Sequence, residues 1–301
     1  MLACILSACG ATSYEDLKSI QTVPGKAPGP SIRNFSEEPL RILAIGNSFT
    51  HNASNYVPFI INELNEDSVY MAKLTRSGCS LSMHWASHCS DTPDYDFHYS
   101  ENGKWYAGDI KTIDSALALY DWDIIVIQQA SGDSGIYDTY QPYLDNLVQL
   151  FRATNPRALL AWHYTWPYRD GTTHDYFARY DRDPETMYHA ILNACDRASE
   201  GFDIKIPSAT LIWEMRQKYP EVEDQFSTDG YHISDPMALY ALSVLWYQCL
   251  ISPECNTSAL TLQHYPSGID AGQMERALEI IGTLVGNTEP GGTDSVPMLF
   301  E

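Results

Sequence analysis

The sequence predicts an α/β protein, a three-layer αβα sandwich around a central parallel sheet. Two observations lead to this class. Short apolar runs alternate along the chain with segments whose apolar residues follow helical spacing, and several of the runs end in glycine or polar residues. Strands that are buried on both faces are apolar throughout, and alternation of strands with helices favours a parallel sheet covered on both sides. With 301 residues and 44% hydrophobic content, the chain can build a substantial core.

The first half of the chain supplies three predicted strands. Residues 41–45 form an apolar run that stops at Gly46, and the apolar positions of residues 57–64 then follow the helical period. Residues 68–75 are a second predicted strand. Residues 123–128 are the clearest, because they are β-branched almost throughout and end in a polar residue.

The second half continues the alternation. A helix is predicted over residues 138–153 and another over residues 183–198, where Pro184 suits the first turn. The remaining predicted elements are strands at 157–165 and 202–207 and helices at 209–218 and 236–250. In parallel sheets, sites lie beyond the carboxyl ends of the strands, and Ser48, Gln128 and Thr165 fall at such ends.

The chain termini differ from this core. Residues 1–9 resemble a lipoprotein signal, because Leu6-Ser7-Ala8-Cys9 is similar to a bacterial lipobox, in which Cys9 is the lipidated residue. Residues 10–38, rich in Pro, Gly and Ser, are a predicted tether, residues 39–286 the globular domain and residues 287–301 a disordered tail. These features predict an exported bacterial lipoprotein, in the periplasm or on the cell surface, that meets the membrane through the lipid alone.

The net charge restricts the classes of binding partner, and the cysteines offer candidate disulfides. A formal net charge of -21 repels nucleic acid and anionic lipid head groups, which excludes both as favoured partners. The many tyrosines and tryptophans are either packing residues or sugar-stacking platforms. If the compartment is oxidising, Cys79 with Cys89 and Cys249 with Cys255 are candidate disulfides.

Two short segments carry the candidate chemistry. Ser48 comes just after the first strand, where it is either a nucleophile or an ordinary helix cap. Asp229 precedes His232 by three residues, which lets a carboxylate reach one imidazole nitrogen while the other faces outward; a capped loop histidine is the alternative. Together they supply the nucleophile, base and orienting carboxylate of acyl transfer.

These segments resemble the first and last conserved blocks of the SGNH (GDSL-like) hydrolases. Gly-Asn-Ser-Phe-Thr at residues 46–50 resembles the first block, and Asp-Gly-Tyr-His at 229–232 resembles the last. The resemblance spans about residues 40 to 252. It implies a flavodoxin-like fold, hydrolysis of small acyl esters, Ser48 as nucleophile, His232 as base, and an oxyanion hole from the backbone N–H groups of Ser48 and Gly78.

One block departs from the family. The family's third block ends in Gly-x-Asn-Asp, whose asparagine donates to the oxyanion, whereas this strand ends in Gln128 and Gln129. We predict Gln128 as the replacement donor, with Gln129 behind it. A missing donor costs about 3 kcal/mol of transition-state stabilisation, so this position decides whether the site is competent.

Three further groups of residues are considered as candidate sites. His163 and Trp166 are predicted to line the substrate cleft, with plain packing as the alternative. His84 and His88 have helical metal-binding spacing, but no third ligand is evident, so neither a metal nor another cofactor is predicted. The acidic loop at residues 91–96 lacks the glycine and distal glutamate of a calcium loop.

The sequence therefore predicts a serine esterase that removes acyl groups, above all acetyl, from a small-molecule or glycan ester. Two alternatives stay open: hydrolysis of lipid or other small acyl esters, and a catalytically inactive glycan-binding protein on a hydrolase fold. The oligomeric state is not predicted.

Overall fold

The computed structural model describes residues 39–64, 68–252, 265, 266 and 268–286. A seven-stranded sheet runs through the domain in the order β4-β3-β2-β1-β5-β6-β7. Its strands are β1 (Leu40–Gly46), β2 (Val69–Thr75), β3 (Asp96–Glu101), β4 (Lys104–Ala107), β5 (Ile124–Ile127), β6 (Leu159–His163) and β7 (Ile204–Ile206). Strands β2, β1, β5, β6 and β7 are mutually parallel, whereas β3 and β4 add an antiparallel hairpin at the β2 edge.

The helices form the outer layers of the sandwich. They are α1 (Ser48–Ala53), α2 (Val57–Glu63), α3 (Leu81–Ser90), α4 (Ile113–Leu117), α5 (Tyr143–Thr154), α6 (Pro184–Ala198), α7 (Ser208–Lys218), α8 (Pro236–Leu250) and α9 (Ala271–Gly286). Helix α8 contacts α1, α2, α7 and α9, while α3 contacts α4 and α5. The predicted α/β class is confirmed, and the parallel strands follow the flavodoxin-like order.

Local chemistry explains where the main helices begin. Asp183 and Asp235 cap α6 and α8 by accepting hydrogen bonds from backbone N–H groups of the first turn, and a proline follows each cap. Helix α8 is apolar nearly all round and buried along most of its length, as a helix in the interior of a domain must be.

Strand β1 is the centre of the molecule. Its residues from Ile42 to Ile45 have no exposed surface, and it is hydrogen-bonded to β2 on one side and to β5 on the other. The loops that follow β2 and β5 therefore flank the turn that follows β1, which carries the predicted nucleophile Ser48.

Several sequence predictions need correction. The helix predicted over 138–153 begins at Tyr143, because the residue before Pro142 is disfavoured in the α conformation, and a short 3₁₀ turn precedes it at Tyr137–Thr139. The β3–β4 hairpin and helix α9 were not predicted as elements.

The structure tests one of the two candidate disulfides but not the predictions for the chain termini. The disulfide predicted between Cys79 and Cys89 is not formed: the Cys79 thiol is buried beside His84, whereas Cys89 lies exposed on α3. Cys255, Cys9, the signal-like segment, the tether and the tail lie outside the described residues. Within the described ranges, no helix combines the length and apolar character needed to cross a membrane.

Candidate active site

Ser48 stands at the first position of α1, directly after the central strand. Asn47 caps this helix, because its side-chain Oδ1 accepts the Phe49 N–H at 2.9 Å. Asn47 also donates through Nδ2 to the Cys79 carbonyl at 3.1 Å, which ties the turn after β1 to the loop after β2. The Ser48 backbone N–H belongs to the first helical turn, whose N–H groups have no intrahelical acceptor.

The three predicted catalytic side chains form one hydrogen-bonded chain. The His232 Nε2 atom lies 2.7 Å from Ser48 Oγ, and His232 Nδ1 lies 2.8 Å from Asp229 Oδ2. The Ser48–His232 distance lies within the range that proton transfer requires, and the His232–Asp229 distance is that of an orienting hydrogen bond. With Nδ1–H donating to the carboxylate, the Nε2 lone pair faces the serine hydroxyl, which is the tautomer a general base needs.

Asp229 is held as a carboxylate by its own turn. Burial raises its pKa, but the backbone N–H groups of Tyr231 and His232, both bonded to Oδ1, and the His232 imidazole outweigh that effect, so the pKa lies below its ordinary value. The Ser227 hydroxyl donates to the same oxygen at 3.3 Å. A carboxylate fixed in this way keeps the imidazole oriented.

Glycine is required inside this turn. Gly230 has φ +96°, and a Cβ added there would lie 2.3 Å from the Thr172 hydroxyl oxygen. A side chain would therefore strain the backbone and collide with the neighbouring loop. The glycine lets the Asp-x-x-His turn close tightly enough for Asp229 to reach His232.

Two arginines fasten the loop that carries the predicted catalytic residues Asp229 and His232 (the catalytic loop) to the loop after β6. Arg169 donates from Nε to the Ser227 carbonyl at 2.8 Å. Arg216 is buried and donates from Nη1 to the Pro167 carbonyl at 2.8 Å and from Nε to the Gln225 carbonyl at 3.4 Å. Burial and the nearby Arg169 charge lower the pKa of Arg216 to about 9. These bonds fix the loop that carries Asp229 and His232.

Gln128 occupies the centre of a buried polar network. Its Nε2 donates to Asn47 Oδ1 at 2.8 Å, while its Oε1 accepts from the Thr50 hydroxyl at 2.8 Å and lies 2.7 Å from His163 Nδ1. Burial lowers the pKa of His163 to about 3, so the ring is neutral. Its proton lies on Nδ1, because the facing Gln128 Oε1 can only accept a hydrogen bond. The network links the ends of β1, β5 and β6.

This geometry corrects the predicted role of Gln128. The side chain is 1% exposed, and its amide nitrogen is directed at Asn47 rather than into the cleft. Gln129 is also engaged elsewhere, since its Oε1 accepts from Leu81 N and its Nε2 donates to Thr139. Gln128 therefore positions Asn47 and the Ser48 turn instead of donating to an oxyanion.

Gly78 lies in the loop after β2, beside the turn that bears Ser48. Its φ of +62° is a backbone conformation that favours glycine, although a Cβ there would meet nothing within 4 Å. Glycine is thus needed here for its conformation and not for space. The residue is exposed, so its backbone is accessible to solvent.

Comparison with known proteins identifies the family. The model of the family described as "domain of unknown function (DUF4886)" matches residues 41–264. A crystal structure of a DUF4886 family protein from Bacteroides uniformis has 30% sequence identity and a TM-score of 0.75, and the match covers 83% of this chain and 96% of that chain. The chain belongs to the DUF4886 family. No curated protein matches it.

More distant solved structures resemble this DUF4886 chain less closely. A protein from Slackia heliotrinireducens proposed to be an SGNH hydrolase has 21% identity and a TM-score of 0.48, over 70% of this chain and 99% of that chain. A catalytic mutant of an acetylxylan esterase from Geobacillus stearothermophilus has 11% identity and a TM-score of 0.48, over 71% and 95%.

The two residues predicted to line the cleft of the DUF4886 chain lie beneath it instead. His163 is 1% exposed and Trp166 has no exposed surface. Trp166 stacks on Phe49 with ring centroids 4.4 Å apart and donates from its indole N–H to the Tyr231 carbonyl at 2.8 Å. It supports α1 and the catalytic loop from below, so the cleft-lining prediction is wrong for both residues.

The histidine pair on α3 does not converge on a metal position. His88 bonds to Asp114, whereas His84 is buried against the Tyr95 hydroxyl. In the described part of the chain, no group of three or more His, Cys, Asp or Glu side chains could hold a metal ion. In the acidic loop, Asp94 pairs with Arg76 at 2.7 Å.

Sequence reasoning missed the residues that support the site. Asn47, Thr50, Arg169 and Arg216 act through buried or half-buried contacts with the catalytic turns. Arg216 could have been identified from the sequence, because it is a cation on a mainly apolar face of helix α7. Asn47 carried another, because asparagine before a helix is a preferred cap.

Proposed function

We propose that this DUF4886 chain is a serine esterase of the SGNH type that hydrolyses acyl esters, above all acetyl esters, on a carbohydrate. The observation that carries the proposal is the unbroken hydrogen-bonded chain from Ser48 Oγ through His232 to Asp229 Oδ2. Its members come from two segments that also resemble the first and last SGNH blocks. A complete chain of this kind favours catalysis over an inactive glycan-binding role.

In the proposed reaction, Ser48 Oγ attacks the ester carbonyl carbon while His232 Nε2 takes the hydroxyl proton. Asp229 stabilises the imidazolium that forms. The imidazolium returns the proton to the departing alcohol, which leaves an acyl group on Ser48. Water, deprotonated by His232, then releases the carboxylic acid and restores the serine.

The negative oxygen of the tetrahedral intermediate needs hydrogen-bond donors. Backbone N–H groups of Ser48 and Gly78 are the proposed donors. Gln128 contributes indirectly, because its bond to Asn47 fixes both the cap of α1 and, through the Cys79 carbonyl, the loop that contains Gly78. The proposed hole is thus built by backbone groups on two adjacent strand ends.

The surroundings of Ser48 support a hydroxyl-rich alcohol rather than a lipid. The loop after β2 brings Ser80, the first turn of α3 brings Ser82, and the loop after β5 brings Ser131 and Asp133. The tryptophans give no support, since those that the structure describes are buried or half-buried packing residues. The carbohydrate part of the proposal therefore depends on the polar character of the loops.

Hydrolysis of 4-nitrophenyl acetate, longer 4-nitrophenyl acyl esters and acetylated glycans by wild type and Ser48→Ala tests the proposal. We expect wild-type turnover to be strongest on acetyl esters and Ser48→Ala to lose at least about 10³-fold in kcat. Ser68→Ala, at an exposed turn, is the matched control. Equal rates for wild type and Ser48→Ala on every substrate would disprove the assignment.

A further inference from the structure

A groove of about 430 Å³ opens between Ser80 and Ser82 on one side and residues that follow β5 on the other. Two of its walls come from the loops after β2 and β5, which are the strands on either side of β1. Ser80, in the first wall, lies two residues beyond Gly78, and Gln129, in the second, follows Gln128. The groove therefore lies at the same edge of the sheet as Ser48, and its volume lies within the range typical of small-molecule sites, about 300–1,000 Å³.

The groove is held open by its own hydrogen bonds. Gln129 joins the two walls, because its Oε1 accepts the backbone N–H of Leu81 on one side and its Nε2 donates to Thr139 on the other. Ser80 and Ser82 place their hydroxyl oxygens 2.9 Å apart on the first wall. These hydrogen bonds fix the positions of the lining groups, which lowers the entropy cost of binding a ligand.

An ion pair closes the outer wall without leaving a net charge. Arg179 pairs with Asp133, and its guanidinium lies 4.3 Å from the centre of the Tyr176 ring. The Tyr176 ring packs so closely on Gly132 that a Cβ there would lie 2.1 Å from it. Because the charges cancel, this wall offers both donors and acceptors but favours neither an anion nor a cation.

The remaining lining suits a sugar ring. Thr139 and Tyr143 add hydroxyl groups, and Ile136 adds an apolar surface for the C–H face of a ring. Each sugar hydroxyl both donates and accepts, as serine, threonine and tyrosine hydroxyls do. A long acyl chain would instead exclude water from these polar groups without offering them hydrogen bonds, which weakens its binding.

We propose that this groove binds a neutral sugar residue of the substrate, adjacent to the residue that carries the ester at Ser48. The substrate is then an acetylated oligosaccharide or polysaccharide of uncharged sugars and not an acetylated single sugar. This inference rests on the proposed esterase function and adds the class of substrate to it.

Kinetics with a blocked groove test the subsite. Ser82→Phe adds a ring on the first wall that fills part of the groove, whereas Tyr143→Ala removes a hydroxyl and a ring from the opposite wall. For both variants, we expect kcat/KM on a partially acetylated neutral tetrasaccharide to fall at least about tenfold more than kcat/KM on 4-nitrophenyl acetate. Ser90→Phe, at the exposed end of the same helix, should keep the wild-type ratio. Equal losses on both substrates would overturn the subsite while leaving the esterase intact.

Binding separates this inference from the esterase proposal. Titration calorimetry of the unacetylated neutral tetrasaccharide needs no turnover, so it reports on the groove even if the protein hydrolyses nothing. We expect wild type and Ser48→Ala to bind it equally and Ser82→Phe to bind at least about tenfold more weakly. No binding by wild type, equal binding by Ser82→Phe, or tighter binding of an acidic tetrasaccharide would overturn the proposed neutral sugar site. Absence of hydrolysis by wild type would contradict the esterase proposal alone.

Discussion

At the scale of single residues, the site is a short hydrogen-bonded path supported by a second set of buried polar contacts. Ser48, His232 and Asp229 make up the path, with 2.7 and 2.8 Å between the successive heteroatoms. Asn47 and Gln128 sit behind it and are almost fully buried. The proposed chemistry uses the exposed path, whereas the buried pair maintains its geometry.

Replacement of Asp229 tests the orienting carboxylate. Asp229→Asn should lower kcat by about 10²–10⁴-fold with little change in KM, because the amide favours the wrong imidazole tautomer. Steady-state kinetics on 4-nitrophenyl acetate measure the effect. Asp175→Asn, at an exposed position, is the control, and a loss of less than about twofold in Asp229→Asn would show that the carboxylate is not part of the path.

Replacement of Gln128 separates a positioning role from direct donation. Gln128→Met leaves the Thr50 hydroxyl and His163 Nδ1–H without their acceptor, so the free energy of unfolding should fall by about 2–4 kcal/mol together with kcat. Denaturant unfolding and kinetics of the same preparation give both values. Exposed Gln217→Met is the control. A drop in kcat at unchanged stability would instead restore the oxyanion-donor role.

Residue identity predicted which three side chains meet at the candidate site, because each stands in a short motif with a fixed internal geometry. It did not predict where Gln128, His163 and Trp166 point. Side chains at a strand end alternate between faces, so an error of one residue in the strand boundary turns a cleft-lining group into a buried one. Trp166 also depends on the path of an irregular loop, which no periodicity describes.

At the scale of elements, the catalytic loop depends on α7 for its position. Arg216, from that helix, donates to carbonyls in the loop after β6 and in the segment before Asp229. These bonds replace secondary structure in a region where the chain is irregular. The site is therefore sensitive to a residue that touches neither substrate nor triad.

We expect Arg216→Met to lower the free energy of unfolding by about 2–4 kcal/mol, because several buried carbonyls lose their donor. It should also lower kcat by displacing the Asp229 turn. The matched control is Arg157→Met, whose pair with Asp121 is highly exposed and contributes at most about 1 kcal/mol. If both variants keep wild-type stability and kcat, Arg216 does not hold the loop.

The parallel strands and α8 were predictable as elements because continuous apolar runs and strong helical spacing leave few alternatives. The β3–β4 hairpin was not, since it mixes charged, aromatic and histidine residues without a clear period. Its formation depends on pairing with β2, a contact between distant parts of the sequence. Secondary-structure propensity alone cannot predict such a contact.

At the scale of the whole molecule, one buried lysine in the sheet lowers the free energy of unfolding. Lys73 on β2 has no exposed surface and no hydrogen-bond partner for its Nζ among the described residues, and the atom lies 4.0 Å from the centre of the Trp105 ring. Burial lowers the pKa of Lys73 to about 7. The neighbouring His51 and His98 have pKa values lowered by burial first and by Lys73 second.

The sign of the resulting pH dependence follows from proton binding. Above pH 7 the unfolded chain holds the Lys73 proton while the folded chain loses it, so the contribution of Lys73 to stability rises with pH until the unfolded lysine titrates. Between pH 7 and 9 the rise should reach about 2 kcal/mol. Lys73→Met should lack this rise and be more stable than wild type at pH 7. Urea unfolding at both pH values measures the difference, and identical pH slopes would show that Lys73 stays charged.

The central claim is that Ser48 is a nucleophile activated by His232. Mass spectrometry of the protein after treatment with a fluorophosphonate measures this directly, because the reagent bonds covalently to an activated serine. We predict one adduct on wild type, located on Ser48, no adduct on Ser48→Ala, and labelling of His232→Ala slowed at least about 10³-fold. An unlabelled wild type, an adduct on another serine, or equal labelling of wild type and His232→Ala would contradict the claim.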